Sequence, residues 1–361
     1  MDYKKYNNIK LSLGIVKAVV TFLLILGFLV FGFSNNLSDL IYQKTGNNYF
    51  ALLAFVSIIG VAMSILFFPI NFYTDYLLEH KFNLSNQTVF VWAWENLKAT
   101  LVGSVIGIPL LLLFYFILNY YGSLWWLPFS ILLFVLSVVL SKIVPIIILP
   151  LFYKVTPIED EDLKERILRL SKNVNLKVDN IFQFNMSKNT KKANAAFTGF
   201  GKTKKILLGD TLTKEFSNDE IETVIAHELG HYKHKHILIN ILVGTVTSFL
   251  TLFLLSILYE LSLSWFGFNS ITDIAALPIL SLWGMVLGTI QTPLTNILSR
   301  KHEYQADEYA IIETDKKEIF INTLNKLTEQ NLSDKDPHPF VEWFYYSHPS
   351  IKNRIAYINK I

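Results

Sequence analysis

The stretch His227-Glu228-Leu229-Gly230-His231 has the residue types and spacing that most directly specify chemistry in this chain. On an α-helix, residues four apart share a face. Both imidazoles can therefore reach one metal ion, and zinc takes such ligands. Glu228 sits beside them and can take a proton from a water activated there. Two histidines and a water leave one zinc position to be filled from elsewhere in the chain. The run 299–310 offers a candidate: Glu303 supplies a carboxylate. Asp307, four residues on and on the same face, can orient a ligand imidazole by accepting its free N–H. His234 and His236 follow the pentad by three and five positions. They read as interfacial residues near a membrane surface, not as ligands.

A helix must carry the pentad. Ser217-x-x-Glu220 forms a capping box ahead of it, and Val224, Ile225 and Leu229 supply its apolar rear face. The same pattern predicts a helix running without interruption from 220 into the apolar stretch that begins at 237. Before it come an amphipathic helix over 160–173, a strand-like run over 177–184, and two short strands at 194–197 and 205–208. A glycine-containing turn over 198–204 joins those two.

The rest of the chain is apolar. Of its 361 residues, 52% are hydrophobic and only 17% charged, against about a quarter charged in a soluble domain. The mean hydropathy is +0.38. This content excludes disorder. The absence of Cys excludes thiol catalysis, Cys-rich zinc sites and iron–sulfur clusters. A net charge of +3 is too small for a strongly basic nucleic-acid protein, so no nucleic-acid partner is expected.

Six stretches have bilayer-spanning length: 11–33, 50–70, 99–121, 125–147, 237–263 and 275–298. The first is longer than a signal-peptide core and lacks a small-residue cleavage site. A seventh, weaker membrane-associated helix is allowed within 71–98. Lys17 and Lys142 can snorkel to the nearer interface. Lysines crowd the N-terminal tail, 71–98, 153–236 and everything after 298. The loops 34–49, 122–124 and 264–274 hold only Lys44. This alternation puts both termini and both polar blocks on the cytoplasmic face.

The chain thus divides into a four-span region (1–152), a first catalytic part with the pentad (153–236), a transmembrane hairpin (237–298) and a second catalytic part with the third ligand (299–361). The fold class is a multi-pass α-helical membrane protein with a small α+β zincin-like region on its cytoplasmic side. His231 stands six residues before 237 and Glu303 five after 298, so about 9 Å of helix or less separates each from the bilayer edge. A transporter is disfavoured by the few intramembrane charges. A catalytically dead scaffold is disfavoured by the complete hydrolytic set.

The motifs together resemble the type I CAAX prenyl protease family of integral-membrane zinc endopeptidases. The resemblance runs through 80–88 (HKFNLSNQT), 149–160 (LPLFYKVTPIED), 194–199 (NAAFTG), 205–212 (KILLGDTL), 227–231 (HELGH), 303–307 (EYQAD) and 338–354, with Tyr346-Ser347-His348-Pro349 and Arg354. It implies one Zn2+ per chain held by His227, His231 and Glu303, with Glu228 as general base and Asp307 behind the ligands. It further implies an edge strand at Asn194 and Ala195 that pairs with substrate backbone, an oxyanion-stabilising His348, and an Arg354 that braces the site against Asp307. His338 reads as structural. The implied substrate is a peptide or protein, lipidated or membrane-bound, with membrane lipid as the other partner. The six spans here compare with seven in that family. Heat-shock-type membrane proteases share the zinc motifs but are usually shorter and lack the long N-terminal region. Richness in Lys, Ile and Asn points to an AT-rich, bacterial genome and so to the inner membrane. In a bacterium without prenylated proteins, membrane-protein quality control becomes the alternative role.

Overall fold

The computed structural model describes residues 2–176, 181–198 and 205–361. Among them, six helices are long and apolar enough to cross a membrane: Tyr3–Val30, Asn48–Lys81, Val89–Leu124, Trp126–Phe152, His236–Phe266 and Ile274–Thr314. They coincide with the six apolar stretches. Large apolar side chains such as Leu23, Ile65, Val105, Leu242 and Leu294 point outward, as a lipid-facing surface requires. Inward-facing residues pack two membrane-level cores, one around Leu52, Phe55, Leu118 and Trp125, the other around Tyr259, Ala276 and Ile279.

One sequence expectation changes here. The segment 71–98 forms no separate helix: its first part completes the second long helix and its last part opens the third, whose first turn is capped by the Thr88 hydroxyl. The Lys17 ammonium donates to Asn71 Oδ1 at 2.8 Å.

The two polar blocks share one core. Ile167, Leu208, Leu212, Ile225 and Leu229 from the first pack with Ala310, Phe320 and Ile358 from the second. A four-stranded sheet lies within it, in the order β1-β2-β4-β3. Strand β1 (Val155–Pro157) runs antiparallel to β2 (Ile181–Phe184), and β2 runs parallel to β4 (Lys205–Gly209). Strand β3 (Ala195–Thr198) pairs antiparallel with β4 and forms an edge. The expected amphipathic helix is Glu161–Asn173, capped by Asp160. The first part of the expected strand, 177–180, and the turn residues 199–204 lie outside the described residues.

An ion-pair network fastens these parts. Buried Glu222 receives Lys316 Nζ at 2.7 Å, Arg169 Nη2 at 2.9 Å and Arg166 Nη1 at 3.1 Å. Burial opposes its charge, but the donors, Lys316 foremost, hold its carboxyl below the usual range. Glu222 thereby links the helix Glu161–Asn173, the pentad helix Asn218–Lys233 and the entrance to the helix Lys317–Gln330.

The pentad helix corrects a second expectation. It does not run straight into the fifth span. It ends at Lys233, and Lys235 takes a left-handed conformation (φ 58°) before the helix His236–Leu263 begins. That conformation costs a non-glycine residue about 1–2 kcal/mol, so tertiary contacts must hold it. The break turns His236 inward: it is 2% exposed. It is therefore a buried residue, not an interfacial one as its spacing suggested, whereas His234 remains exposed.

Candidate metal centre

Two helices bring the candidate ligands together. The capping box at Ser217 and Glu220 forms as expected and starts the pentad helix. The long helix Pro278–Thr314 carries Glu303 and Asp307 against it. Their approach is close because position 230 is glycine: a Cβ there would lie 2.9 Å from Ala306 Cα and 3.1 Å from the Ala306 carbonyl oxygen. Both contacts are backbone and cannot swing away. We expect Gly230→Ala to separate the helices, lower stability by about 1–3 kcal/mol and weaken metal binding. Thermal unfolding and a metal titration read this out; parental values for both would show that the close approach is dispensable.

One donor atom from each of His227, His231 and Glu303 lies within 4.8 Å of the other two. His227 Nε2 is 3.2 Å from His231 Nε2. Glu303 Oε2 is 3.4 Å from His227 Nε2, and Glu303 Oε1 is 3.4 Å from His231 Nε2. Tetrahedral ligands bound at about 2.0–2.1 Å stand about 3.3 Å apart, so this donor set fits a small tetrahedral cation. Glu303 Oε2 is buried and accepts no well-directed hydrogen bond among the described residues. Such an oxygen is costly unless a cation takes it.

The surroundings fix the donors. His227 Nδ1 donates to Asp307 Oδ1 at 2.8 Å, which leaves its Nε2 facing the other ligands. Asp307 is fully buried and is held by the Arg354 guanidinium, whose Nε donates to Oδ2 at 2.8 Å. The acid expected to orient an imidazole and the arginine expected to brace it thus meet at His227. Glu228 is half-buried on the same helix. Burial pushes its carboxyl above the usual range; the His227 and His231 imidazoles pull it down, while Glu303 adds to the rise.

His348 Nδ1 lies 3.0 Å from Glu303 Oε2, with its side chain largely exposed. The turn that carries it is anchored from the long helix. Arg300 Nη1 donates to the carbonyls of Glu342 at 3.0 Å and Tyr346 at 2.6 Å, and Asn296 donates to the Phe344 carbonyl at 2.7 Å. An open cleft of about 590 Å³ runs past His348 and Arg354 to Lys192 and Tyr6.

Ala195 begins edge strand β3, and Asn194 precedes it, its carbonyl accepting from Gly209 N–H at 2.9 Å. Asn331 fixes the lead-in with two bonds to the Ala193 backbone, at 2.9 and 3.2 Å. The sequence does not single out Asn331, and it reads His236 only as an interfacial residue. Asn331 sits in a polar stretch with no motif. His236 had a signal, the repeated histidines after the pentad, but only the break at Lys235 gives it meaning. His338 caps the helix Pro339–Tyr345, in keeping with a structural part.

The model of peptidase family M48 matches residues 157–361. That of the CAAX prenyl protease N-terminal region, described as five membrane helices, matches residues 2–154. Over those residues the described chain has four helices of spanning length, with the short helix Phe33–Tyr42 between the first two. An uncharacterized metalloprotease of Bacillus subtilis, YhfN, is 30% identical; the alignment covers 99% of this chain and 84% of the relative. CAAX prenyl protease 1 of Saccharomyces cerevisiae is 32% identical over 86% of this chain and 72% of its own. The crystal structure of S. mikatae Ste24p superposes with a TM-score of 0.88 at 27% identity, covering 99% of this chain and 88% of that one. The chain belongs to peptidase family M48 and is an integral, multi-pass membrane metalloendopeptidase.

Proposed function

We propose that the metal is zinc, held by His227, His231 and Glu303, and that the enzyme cleaves CAAX-type, lipid-linked peptides near their C-terminus. The site would face the cytoplasm at the inner membrane of a bacterium. The observation that carries this reading is the donor triangle of 3.2–3.4 Å edges between the pentad helix and the long helix Pro278–Thr314. Its length-wide likeness to CAAX prenyl protease 1 of yeast supports the substrate class, the Bacillus relative supports the bacterial setting, and the lysine distribution supports the orientation. The four chain regions fit the same reading: the membrane region, the two catalytic parts, and the hairpin that carries the ligands to each other.

When bound, zinc supplies a Lewis acid for the scissile carbonyl and lowers the pKa of the attacking water. Glu228 takes the water's proton on its carboxylate and delivers it to the leaving amine nitrogen. His348 donates an imidazole N–H toward the oxygen on which negative charge develops. The free edge of β3, beginning at Asn194 and Ala195, pairs with the substrate backbone, a strand addition that positions the bond without reading side chains. Asp307 and Arg354 hold the His227 ring still while this happens.

The test uses the full chain in lipid vesicles and two synthetic CAAX peptides, one prenylated and one bare. Cleavage of the prenylated peptide, lost with a chelator and restored by zinc, is the expected result. If neither peptide is cut while an unfolded membrane protein is, the CAAX assignment fails and quality control takes its place.

A further inference from the structure

Behind His231 lies a chain of polar rings that neither the ligand set nor the mechanism uses. His231 Nδ1 is 2.9 Å from His236 Nδ1. His236 Nε2 is 3.0 Å from Gln305 Oε1. The His236 ring stacks on that of His302, with centroids 3.9 Å apart and planes 11° from parallel. His302 and Gln305 flank Glu303 on the long helix.

This contact depends on the helix break. Along an unbroken helix, residues five apart point about 140° away from each other. The left-handed Lys235 swings His236 back over the preceding turn, so a costly backbone conformation is held at the one place where it brings these two imidazoles together.

The protons along the chain are coupled. Each hydrogen bond holds one proton, and each neutral imidazole carries one. Two arrangements follow. In the first, His231 donates from Nδ1 to His236 Nδ1, and His236 donates from Nε2 to the Gln305 amide oxygen. In the second, Gln305 turns its NH2 group inward, His236 donates from Nδ1, and His231 carries its proton on Nε2. Only the first leaves a lone pair on His231 Nε2, the atom facing His227 Nε2 and Glu303. An Nε2–H there cannot bind a cation.

We propose that His236, backed by Gln305 and clamped by His302, is a positioning residue that fixes the His231 tautomer and ring orientation for metal binding. It does at His231 what Asp307 does at His227, with one difference. Asp307 is charged and needs buried Arg354 as its counter-ion. The His236–Gln305 relay is neutral, so it orients the second ligand without adding charge next to the apolar span.

The inference rests on His231 being a ligand, and the experiment separates the two. Zinc affinity is measured by chelator competition on the purified full chain, with absorption of the Co2+-loaded protein as a second readout and the unfolding temperature of the metal-free protein as a folding control. His236→Leu is expected to weaken zinc binding about 10–100-fold. His236→Asn, whose amide oxygen stands where Nδ1 stood, should restore most of that loss. Gln305→Leu should weaken binding and Gln305→Glu preserve it, which keeps the test open if His236→Leu does not fold. Parental affinity in both leucine variants, or an equal loss in His236→Asn, overturns the relay. His231→Ala binding zinc like the parent would overturn the ligand reading itself; loss in that variant beside parental affinity in His236→Leu overturns the relay alone.

Discussion

Glu228→Gln should lower kcat by about 10²–10⁴-fold while the metal content per chain stays unchanged. The substitution is nearly isosteric, and Glu228 contributes no atom to the donor triangle formed by His227, His231 and Glu303. Ligand spacing and the Asp307–Arg354 brace therefore survive it. The amide cannot accept the water's proton, so the lost function is proton transfer alone. Turnover on the prenylated peptide and metal content by elemental analysis make the test. Retained turnover removes Glu228 from the mechanism. Loss of metal together with turnover would make Glu228 a ligand and reopen the assignment of Glu303. If both expectations hold, the variant also serves as a trap, since substrate still reaches the site and is not released as product.

The legible and illegible parts of this site divide along physical lines. The pentad could be read because two candidate ligands and a candidate base lie on one helix, where spacing alone sets their common face. The spans could be read because bilayer length demands an unbroken apolar run. Glu303 and Asp307 were legible only once the pentad had posed the question of a third ligand, since an acidic helix end by itself is ordinary. His348 and Arg354 came from resemblance to a known family; no local pattern links them to residues some 120 positions earlier. The structure brings Arg354 onto Asp307 and His348 onto Glu303 through contacts that a linear pattern does not encode. The break at Lys235 went unread for a different reason. No glycine or proline marks it, and the left-handed lysine accompanies a part-buried His231–His236–Gln305 chain that a linear pattern does not show.

Glu303→Ala should reduce bound zinc from one ion per chain to almost none, with the metal-free protein unfolding near the parental temperature. The proposed site has three protein donors 3.2–3.4 Å apart, and Glu303 is the only one of them that brings negative charge. Without it, a dication would have to be held by two neutral imidazoles whose Nε2 atoms stand 3.2 Å apart. The fold should tolerate the change because the buried charge that anchors the two helices is Asp307, paired with Arg354 and left intact. Glu303→Gln separates charge from donor count. Its amide oxygen can still reach the metal, so zinc affinity should fall between those of the alanine variant and the parent. Equilibrium dialysis against buffered zinc ranks the three proteins. Full occupancy in the alanine variant would strike Glu303 from the ligand set and shift attention to His348, whose Nδ1 stands 3.0 Å from the vacated carboxylate oxygen. Equal affinity of the glutamine variant and the parent would mean that geometry, not charge, is what Glu303 contributes.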